Sequence, residues 1–275
     1  MSRVADRHRT AFVTGASTGL GRAFTAMLLA EGVAVWGTSR DRARLEPLVR
    51  DGAGRFHPVV LELADAPLLD AAWRDAERAA AGFDLVINNA GYGVFAEFTG
   101  VGFDEWEKQL RIMLLNTARI AHHALRGMRD RDRGTLVNVS SLAAEFPLPF
   151  QPAYNVAKAG LTALSESLMM ETAGSGVTVI DLRPGDYRTD FEGSVRRPQP
   201  AATPRMQRAW GAFEAMMQSG PQPAHAAAAL RRALLAGRPG TVRTGRLFQA
   251  VVAPFLARFG SLGLKRRIQA RYYNV

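Results

Sequence analysis

Short apolar runs rich in β-branched residues alternate with longer stretches of helical periodicity along most of this chain. The runs lie at residues 11–14, 33–38, 57–63, 85–88, 135–140 and 178–182. Strands that are separated by helices join through right-handed crossovers, which predicts a parallel sheet covered by helices on both faces. We therefore expect residues 1–275 to form a single α/β domain with a Rossmann-like, doubly wound parallel sheet and a sizeable core.

A glycine-rich turn directly follows the first predicted strand. An amphipathic helix is predicted after it over residues 20–31, with Gly32 as the C-terminal cap. Glycines allow the backbone to approach a pyrophosphate, which the N–H groups at the start of the helix can bind. Many loops are rich in glycine, so the turn alone is a weak indication. We expect contacts with a nucleotide from Gly15, Ser17, Thr18, Gly19, Leu20 and Gly21.

A second group of residues, Ser141, Tyr154 and Lys158, has the spacing of a proton-transfer site. Positions four residues apart lie on one face of a helix, which places the Lys158 ammonium beside the Tyr154 phenol. A phenol titrates near ~10. An adjacent cation is expected to lower that pKa, so that the tyrosine exchanges a proton with a carbonyl or alcohol oxygen near neutral pH. Ser141 can hydrogen-bond the same oxygen.

These motifs resemble those of the classical short-chain dehydrogenase/reductase family over about residues 9–190. The resemblance rests, in the family's order, on Thr14-Gly-x-x-x-Gly-x-Gly21, Asn88-Asn89-Ala90-Gly91, Asn116, Ser141, Tyr154-x-x-x-Lys158, and Pro184-Gly185 followed by Thr189. It implies that Tyr154 is the catalytic acid/base and that Ser141 orients the substrate oxygen. It also implies that Lys158 holds the nicotinamide ribose and lowers the tyrosine pKa, and that Asn116 completes a proton relay through water.

The resemblance also implies further contacts with a nicotinamide cofactor. They are expected from Asn88, Ala90, Gly91, Tyr154, Lys158, Pro184, Gly185 and Thr189. The small residues Ala90 and Gly91 let a strand end pass close to the adenosine ribose, and the asparagine amides are expected to tie neighbouring strands together.

The end of the second strand favours NADP over NAD. An acidic residue at Ser39 would accept both ribose hydroxyls and repel a 2′-phosphate, and serine does neither. Arg40 offers a planar set of donors that suits that phosphate. The alternative is that Arg40 merely begins a solvated, arginine-rich helix. The resemblance also implies that Glu62 and the backbone N–H of Leu63 lie beside the adenine.

An apolar substrate pocket is expected beyond the strand ends. Its predicted wall comprises Tyr92, Phe95, Phe146, Leu148, Phe150, Tyr187 and Phe191. Such a lining suits a bulky apolar substrate better than a sugar or a charged acid. Residues 186–223 are rich in Pro, Arg and Met, and they occupy the place where the family usually carries a substrate lid.

We therefore expect an NADP(H)-dependent oxidoreductase that transfers a hydride between nicotinamide and a bulky apolar ketone, aldehyde or secondary alcohol. One alternative is a reductase of 3-oxoacyl thioesters carried on an acyl-carrier protein or coenzyme A. A non-catalytic NADP-binding sensor or structural protein is a further alternative, but it has no physical need for a tuned phenol.

Composition excludes several other classes. The chain has no cysteine, which excludes disulfides and thiolate chemistry, and its 5 histidines show no helical two-ligand spacing, so no catalytic metal is expected. No apolar run is long enough to span a bilayer, and the first residues lack the apolar core of a signal peptide. We expect a cytoplasmic protein, and no nucleic-acid partner because no binding motif accompanies its basic charge.

The basic charge is concentrated near the C-terminus. No Asp or Glu follows Glu214, and the basic residues beyond it account for the whole formal net charge of +10. Residues 241–275 combine these charges with apolar residues at helical spacing, interrupted at Pro254. Two interpretations stay open. The segment packs on its own or a partner subunit of a homodimer or homotetramer, or it lies on an anionic membrane surface, peripheral to the inner face of a membrane.

Overall fold

The computed structural model describes residues 2–189, 192–198, 203–257 and 259–275. Seven parallel strands form one sheet in the order β3-β2-β1-β4-β6-β7-β9, and β5 pairs with β8 in a separate two-stranded ladder. The strands are β1 (Thr10–Val13), β2 (Ala34–Ser39), β3 (Phe56–Val60), β4 (Leu85–Asn88), β5 (Gly93–Val94), β6 (Gly134–Val139), β7 (Val177–Pro184), β8 (Val195–Arg196) and β9 (Gly240–Thr244). The predicted parallel sheet is confirmed, and β9 is a strand that the sequence patterns did not indicate.

Helices connect these strands and also follow the last one. They are α1 (Gly19–Ala30), α2 (Glu46–Asp51), α3 (Ala66–Ala80), α4 (Phe103–Leu110), α5 (Asn116–Asp130), α6 (Pro152–Glu171), α7 (Pro204–Gln218), α8 (Pro223–Ala236), α9 (Ala253–Leu256) and α10 (Leu262–Tyr272). Of these, α9 and α10 follow the last strand. No helix in the described ranges is both long and apolar enough to cross a membrane.

Helices cover both faces of the sheet, and successive residues of a strand point to opposite faces. In β1, Val13 belongs to the core cluster formed with α1 and α8, which includes Phe24 and Leu230. Its neighbour Phe12 belongs to the cluster on the other face, formed with α3 and α5, which includes Trp73. Each of these fully buried side chains contributes ~1.5–3 kcal/mol of transfer free energy. The single doubly wound domain is thereby confirmed.

The strand order decides where a ligand can bind. The chain continues from β1 outward to β2 and β3 and then returns past β1 to β4, so the connections after β1 and β4 leave opposite sides of the sheet. A crevice opens at such a switch point beyond the carboxyl ends of the strands. The glycine turn, the ends of β2 and β4, and Ser141 after β6 all lie at this edge.

Two π-helical turns occur among the residues that the structure describes. Residues Arg111–Leu115 join α4 to α5, and the Asn116 N–H donates to the Arg111 carbonyl five residues back. Residues Phe248–Val252 lead into α9, where Pro254 occupies the first turn, a position that tolerates proline. π-turns of this kind are frequent at functional sites.

Candidate active site

The glycine turn after β1 has the conformation that a closely bound dinucleotide requires. Gly15 and Gly19 have φ values of +68° and +52°, in the left-handed region that favours glycine. A Cβ at Gly21 would lie 2.1 Å from the Gly15 carbonyl oxygen, so only glycine permits this contact between turn and helix. Within the described residues Thr18, the N-cap of α1, makes no side-chain capping hydrogen bond. The N–H groups in the first turn of α1 therefore have no cap from the Thr18 side chain, which is the arrangement of a helix start that binds an anion.

A large cavity extends from this turn across the strand ends. Its volume is about 1240 Å³. The predicted cofactor residues that line it are Gly15, Ser17, Thr18, Gly19, Leu20, Ser39, Arg40, Glu62, Leu63, Ala90, Gly91, Tyr154, Lys158, Pro184, Gly185 and Thr189. These residues, with the glycine conformations above, fit a nicotinamide dinucleotide.

Two predicted cofactor residues lie behind the cavity wall. The buried Asn88 amide donates to Asn138 Oδ1 at 3.0 Å, which ties β4 to β6 as expected of the asparagine amides. Asn89 belongs to the same motif but was not among the predicted cofactor contacts; it lines the cavity and donates to the Thr14 carbonyl at 3.0 Å. Gly21 is a packing glycine, because a Cβ there would meet the Gly15 carbonyl, and it does not line the cavity.

The end of β2 presents two guanidinium groups to the cavity. Ser39 is buried, and its hydroxyl accepts a hydrogen bond from the Asp41 N–H at 3.2 Å. Arg40 is exposed at the cavity edge, and Arg44, which the sequence analysis missed, lines the same end. Arg44 lies 3.8 Å from Asp41 in an exposed ion pair. Glu62 is also exposed, and its carboxylate accepts the Ala64 N–H at 3.0 Å.

Ser141, Tyr154 and Lys158 meet at the other end of the cavity. Tyr154 and Lys158 lie one turn apart on α6, and both are buried. The Ser141 hydroxyl hydrogen-bonds the Tyr154 phenol and accepts the Ala143 N–H at 3.0 Å. Lys158 Nζ donates to the Val139 carbonyl at 2.7 Å and lies 5.7 Å from the centroid of the Tyr154 ring. The helix places Tyr154 beside Lys158, and the end of β6 brings Ser141 to the same phenol.

The prediction of a lowered tyrosine pKa is wrong for this arrangement. Burial raises the pKa of Tyr154 to about 12, against the opposing effect of the Ser141 hydrogen bond, and the Asp186 carboxylate raises it further. Burial also lowers the pKa of Lys158 to about 8, although Asp181 attracts its charge. Desolvation, which disfavours the charged form of each group, is the largest cause of both shifts. At neutral pH the phenol therefore carries its proton.

Asn116 is buried directly after the π-turn. Its side-chain amide donates to the Leu63 carbonyl at 2.5 Å, which links α5 to the loop after β3. This residue does not line the cavity through its side chain. A part in proton relay would have to use its backbone carbonyl, as the resemblance implies, and that role stays a prediction.

The structure divides the predicted substrate-wall residues into those that line the cavity and those that do not. Tyr92, Phe146, Leu148 and Tyr187 line the cavity. Phe95 and Phe150 instead pack with a separate apolar cluster that includes Val195, Met206 and Phe213. Both rings turn away because the β5–β8 ladder and α7 supply an apolar surface behind the wall. Phe191 lies outside the described residues, as do residues 190 and 199–202 of the predicted lid.

The C-terminal segment supplies much of the wall that the sequence analysis missed. Its cavity-lining side chains include Phe248, Gln249, Leu256, Phe259, Leu264, Lys265, Ile268, Tyr272 and Tyr273. Lys265 Nζ donates to the Glu145 carbonyl and lies 4.8 Å from the centroid of the Phe146 ring. The segment therefore packs on its own subunit and lines the same cavity as Ser141, Tyr154 and Lys158. The amphipathic pattern of residues 241–275 was the signal that could have indicated this position.

Asp186 is a second unpredicted residue near the phenol. Burial raises the pKa of this carboxyl, while a hydrogen bond from the Gln249 amide opposes the shift. The same amide donates to the Tyr272 hydroxyl at 3.0 Å. Asp186 thus connects the end of β7 to the C-terminal segment beside Tyr154.

A dinucleotide-binding turn joined by one cavity to a Ser, Tyr and Lys set defines an NAD(P)-binding oxidoreductase. The model of the short chain dehydrogenase family matches residues 9–200. The chain therefore belongs to the short-chain dehydrogenase family, whose members are oxidoreductases that act on CH–OH type substrates.

Curated relatives agree with this assignment. The chain is 38% identical over 202 residues to an uncharacterized oxidoreductase of Myxococcus xanthus, which covers 70% of this chain and 78% of that protein. It is 31% identical over 199 residues to a 3-oxoacyl-[acyl-carrier-protein] reductase of Vibrio harveyi, covering 71% and 80% of the two chains.

Solved structures share the fold over most of the chain. A short-chain dehydrogenase from Streptomyces avermitilis has a TM-score of 0.82 and 28% identity, and the match covers 94% of this chain and 96% of that one. A serine dehydrogenase complexed with NADP⁺ has a TM-score of 0.75 at 21% identity, covering 86% and 95%. A short-chain dehydrogenase/reductase from Burkholderia phymatum in complex with NAD has a TM-score of 0.75 at 22% identity, covering 88% and 90%.

Proposed function

We propose that this enzyme is an NADP(H)-dependent oxidoreductase that interconverts a bulky apolar ketone or aldehyde and the corresponding alcohol. The observation that carries the proposal is the buried Tyr154 phenol, which is hydrogen-bonded to Ser141. Tyr154 lines a largely apolar cavity that the glycine turn also lines. When bound, the nicotinamide supplies or accepts the hydride. Side chains of the protein supply the proton and stabilise the charge that develops on the substrate oxygen.

Tyr154 is suited to act as the proton donor in carbonyl reduction. With a pKa of about 12, the phenol is protonated at neutral pH, which is the form that reduction requires. As negative charge develops on the substrate oxygen, Tyr154 gives up its proton and Ser141 stabilises the oxygen by hydrogen bonding. The Lys158 ammonium favours the phenolate that remains, because an opposite charge stabilises the ionised form. Alcohol oxidation uses the same groups in reverse.

The preference for NADP is proposed from the charge at the end of β2. Arg40 and Arg44 line the cavity there, and Ser39 supplies no carboxylate that would repel a 2′-phosphate. Asp41 also lines this end, and its Oδ1 accepts the Ala43 N–H at 2.9 Å. This bond holds Asp41 as the cap of its own turn.

The substrate class is proposed from the wall of the cavity beyond Tyr154. Aromatic and aliphatic side chains dominate there, and Lys265 is directed at the Glu145 carbonyl. A charged or strongly hydrated substrate would lose its hydration against this apolar wall. We propose that residues 186–223 act as a lid over this cavity, because Tyr187, Phe213 and Met217 line it from that segment.

Reduction of 3-oxoacyl thioesters is the second candidate function. The 31% identical relative from Vibrio harveyi carries the name of such a reductase, and a basic surface could meet an acidic carrier protein. A non-catalytic NADP-binding sensor or structural role is less favoured, because it does not require Ser141 and Tyr154 to meet. We also propose a homodimer or homotetramer, as is general for the family.

Oxidation of NADPH against a panel of substrates tests these proposals. The panel comprises cyclic and aromatic ketones, long-chain aldehydes and acetoacetyl thioesters, each compared with the Tyr154→Phe variant. Turnover of apolar ketones that the variant loses supports the proposal. Preference for the thioesters favours the second function. NADPH binding without turnover of any substrate would identify a binding protein.

A further inference from the structure

The C-terminal segment presents an apolar surface that the rest of the described chain does not cover. We call this surface the C-terminal face. Its exposed apolar residues are Leu247, Phe248, Val251, Val252, Phe255, Leu256, Phe259, Leu262, Leu264, Ile268 and Tyr272. Phe259 is 77% exposed and Leu262 is 62% exposed. Isolated exposed apolar residues are ordinary, but this concentration within 26 residues marks an interaction surface.

Every charged residue of the C-terminal face is basic. The sequence contains no Asp or Glu beyond Glu214, and α10 carries Lys265, Arg266, Arg267 and Arg271. Arg266, Arg267 and Arg271 are exposed beside the apolar residues of that helix. A surface of this kind combines the two properties that bind an interfacial helix to anionic lipid: apolar area and positive charge.

Charge also decides between lipid and a second copy of the chain. In a two-fold symmetric contact the same surface meets itself. Two C-terminal faces would bring the arginines of both copies of α10 into one interface, and neither segment carries an Asp or Glu to pair with them. An anionic bilayer instead supplies both the negative charge and the apolar interior. We propose that the C-terminal face lies on an anionic membrane surface.

The C-terminal face also lines the cavity that contains Tyr154, so a membrane contact would place lipid beside the opening of this cavity. Phe248, Leu256, Phe259, Leu264 and Ile268 are exposed and also line the cavity that contains Tyr154. A membrane-dissolved molecule can therefore pass along apolar side chains from the lipid to the phenol. This step rests on the proposed function, and it narrows the substrate to a lipid-soluble ketone, aldehyde or alcohol.

Hydrogen bonds hold the inner side of the C-terminal segment on the domain, and its outer side is apolar and exposed. Gln249 donates to Asp186 and to Tyr272, and the Gln269 amide donates to the Pro147 carbonyl at 3.3 Å. These bonds and the buried Tyr273 hold the inner side on the domain. Leu247, Val251, Phe255 and Leu262 are exposed and do not line the cavity, which makes them suitable positions for variants.

Vesicle co-sedimentation of the full chain tests the proposal. Vesicles of phosphatidylcholine alone are compared with vesicles that also contain phosphatidylserine, at low and physiological salt. One variant combines Val251→Ser, Phe255→Ser and Leu262→Ser, and another combines Arg266→Glu and Arg267→Glu. The matched control, Arg50→Glu with Arg126→Glu, makes the same change in net charge on exposed residues of α2 and α5.

The native chain and the control should bind the anionic vesicles and bind the neutral ones far less, with affinity falling as salt rises. Each basic residue near such a surface contributes ~1 kcal/mol, so the Arg266 and Arg267 variant should lose at least about 30-fold in partitioning. The serine variant should lose at least ~10-fold. Equal binding by both variants and the native chain, or no binding to anionic vesicles at low salt, would overturn the proposal.

Light scattering and a soluble assay separate the remaining outcomes. If the serine variant dissociates an oligomer and the native chain ignores vesicles, the face joins copies of the chain and the proposal is wrong. The serine variant should still oxidise NADPH with a short, water-soluble ketone. Oxidation that persists without vesicle binding overturns only the membrane contact, and vesicle binding without oxidation overturns only the proposed activity.

Discussion

Replacement of Arg40 and Arg44 by alanine should shift cofactor selection from NADPH towards NADH. Both guanidinium groups line the end of the cavity beyond β2. A charge-assisted hydrogen bond contributes ~1.5–3 kcal/mol, and the exposure of Arg40 places its contact at the low end of that range. Loss of ~1.5 kcal/mol corresponds to about 10-fold weaker selection for NADPH. NADH lacks the 2′-phosphate, so its kcat/KM should change little.

The Arg44→Ala change should be smaller than the Arg40→Ala change. Arg44 already lies 3.8 Å from Asp41, and both side chains of this pair are more than half exposed. Exposed pairs contribute at most ~1 kcal/mol, so roughly 3-fold is expected for Arg44 alone. Ser39→Asp should also lower selection for NADPH, because the carboxylate repels the 2′-phosphate. The local structure should be kept, because a carboxylate oxygen at this position can still accept the Asp41 N–H.

The assay is steady-state oxidation of both cofactors at saturating concentrations of one water-soluble ketone. The measured quantity is the ratio of kcat/KM for NADPH to that for NADH. Arg50→Ala is the matched control, because Arg50 is exposed on α2 and does not line the cavity. An unchanged ratio in the Arg40→Ala, Arg44→Ala double variant would refute the reasoning and leave Arg40 as a solvated helix-surface charge.

Three further predictions concern the buried ionisable residues Tyr154, Lys158 and Arg183. Tyr154→Phe should lower kcat at least ~100-fold and leave NADPH affinity nearly unchanged, because the hydroxyl acts in the transition state; near-normal turnover would eliminate the site. Carbonyl reduction should fall as pH rises through about 8, where Lys158 loses its proton while the Tyr154 phenol, with a pKa of about 12, keeps its own; a rate that stays level to pH 10 would contradict this assignment. Arg183→Met should lower the free energy of unfolding by ~3–5 kcal/mol in urea denaturation, because it leaves Asp181 buried without its partner at 2.7 Å; a loss under ~1 kcal/mol would show that the ion pair is dispensable.

Local patterns predicted the parts of the site that depend on neighbouring residues. Tyr154 and Lys158 share a face because the spacing of four matches one helical turn, whatever the helix packs against. The glycine turn could be predicted for the same reason, because a positive φ at Gly15 and Gly19 depends on a few consecutive residues. Strand and helix alternation predicted the parallel sheet, because it limits how the chain can connect its strands.

Contacts between distant segments decided what the sequence could not show. Phe95 and Phe150 resemble pocket residues in the sequence, but β8 and α7 supply a surface that turns both rings away from the cavity. Arg44 reaches the cofactor end only because the turn after β2 folds back beside it. No local pattern specifies such a position, since it depends on which segments meet in space.

The sequence by itself determined the α/β class, the glycine turn and the order of Ser141, Tyr154 and Lys158, because each follows from short-range backbone and side-chain geometry. Only the tertiary structure decided the protonation of that set and the placement of the C-terminal segment over it. Burial governs the pKa of Tyr154 and of Lys158, and burial is the sum of contacts from β6, β7, α6 and residues beyond 247. Spacing in the sequence cannot carry that information, because desolvation depends on every segment that excludes water from the site.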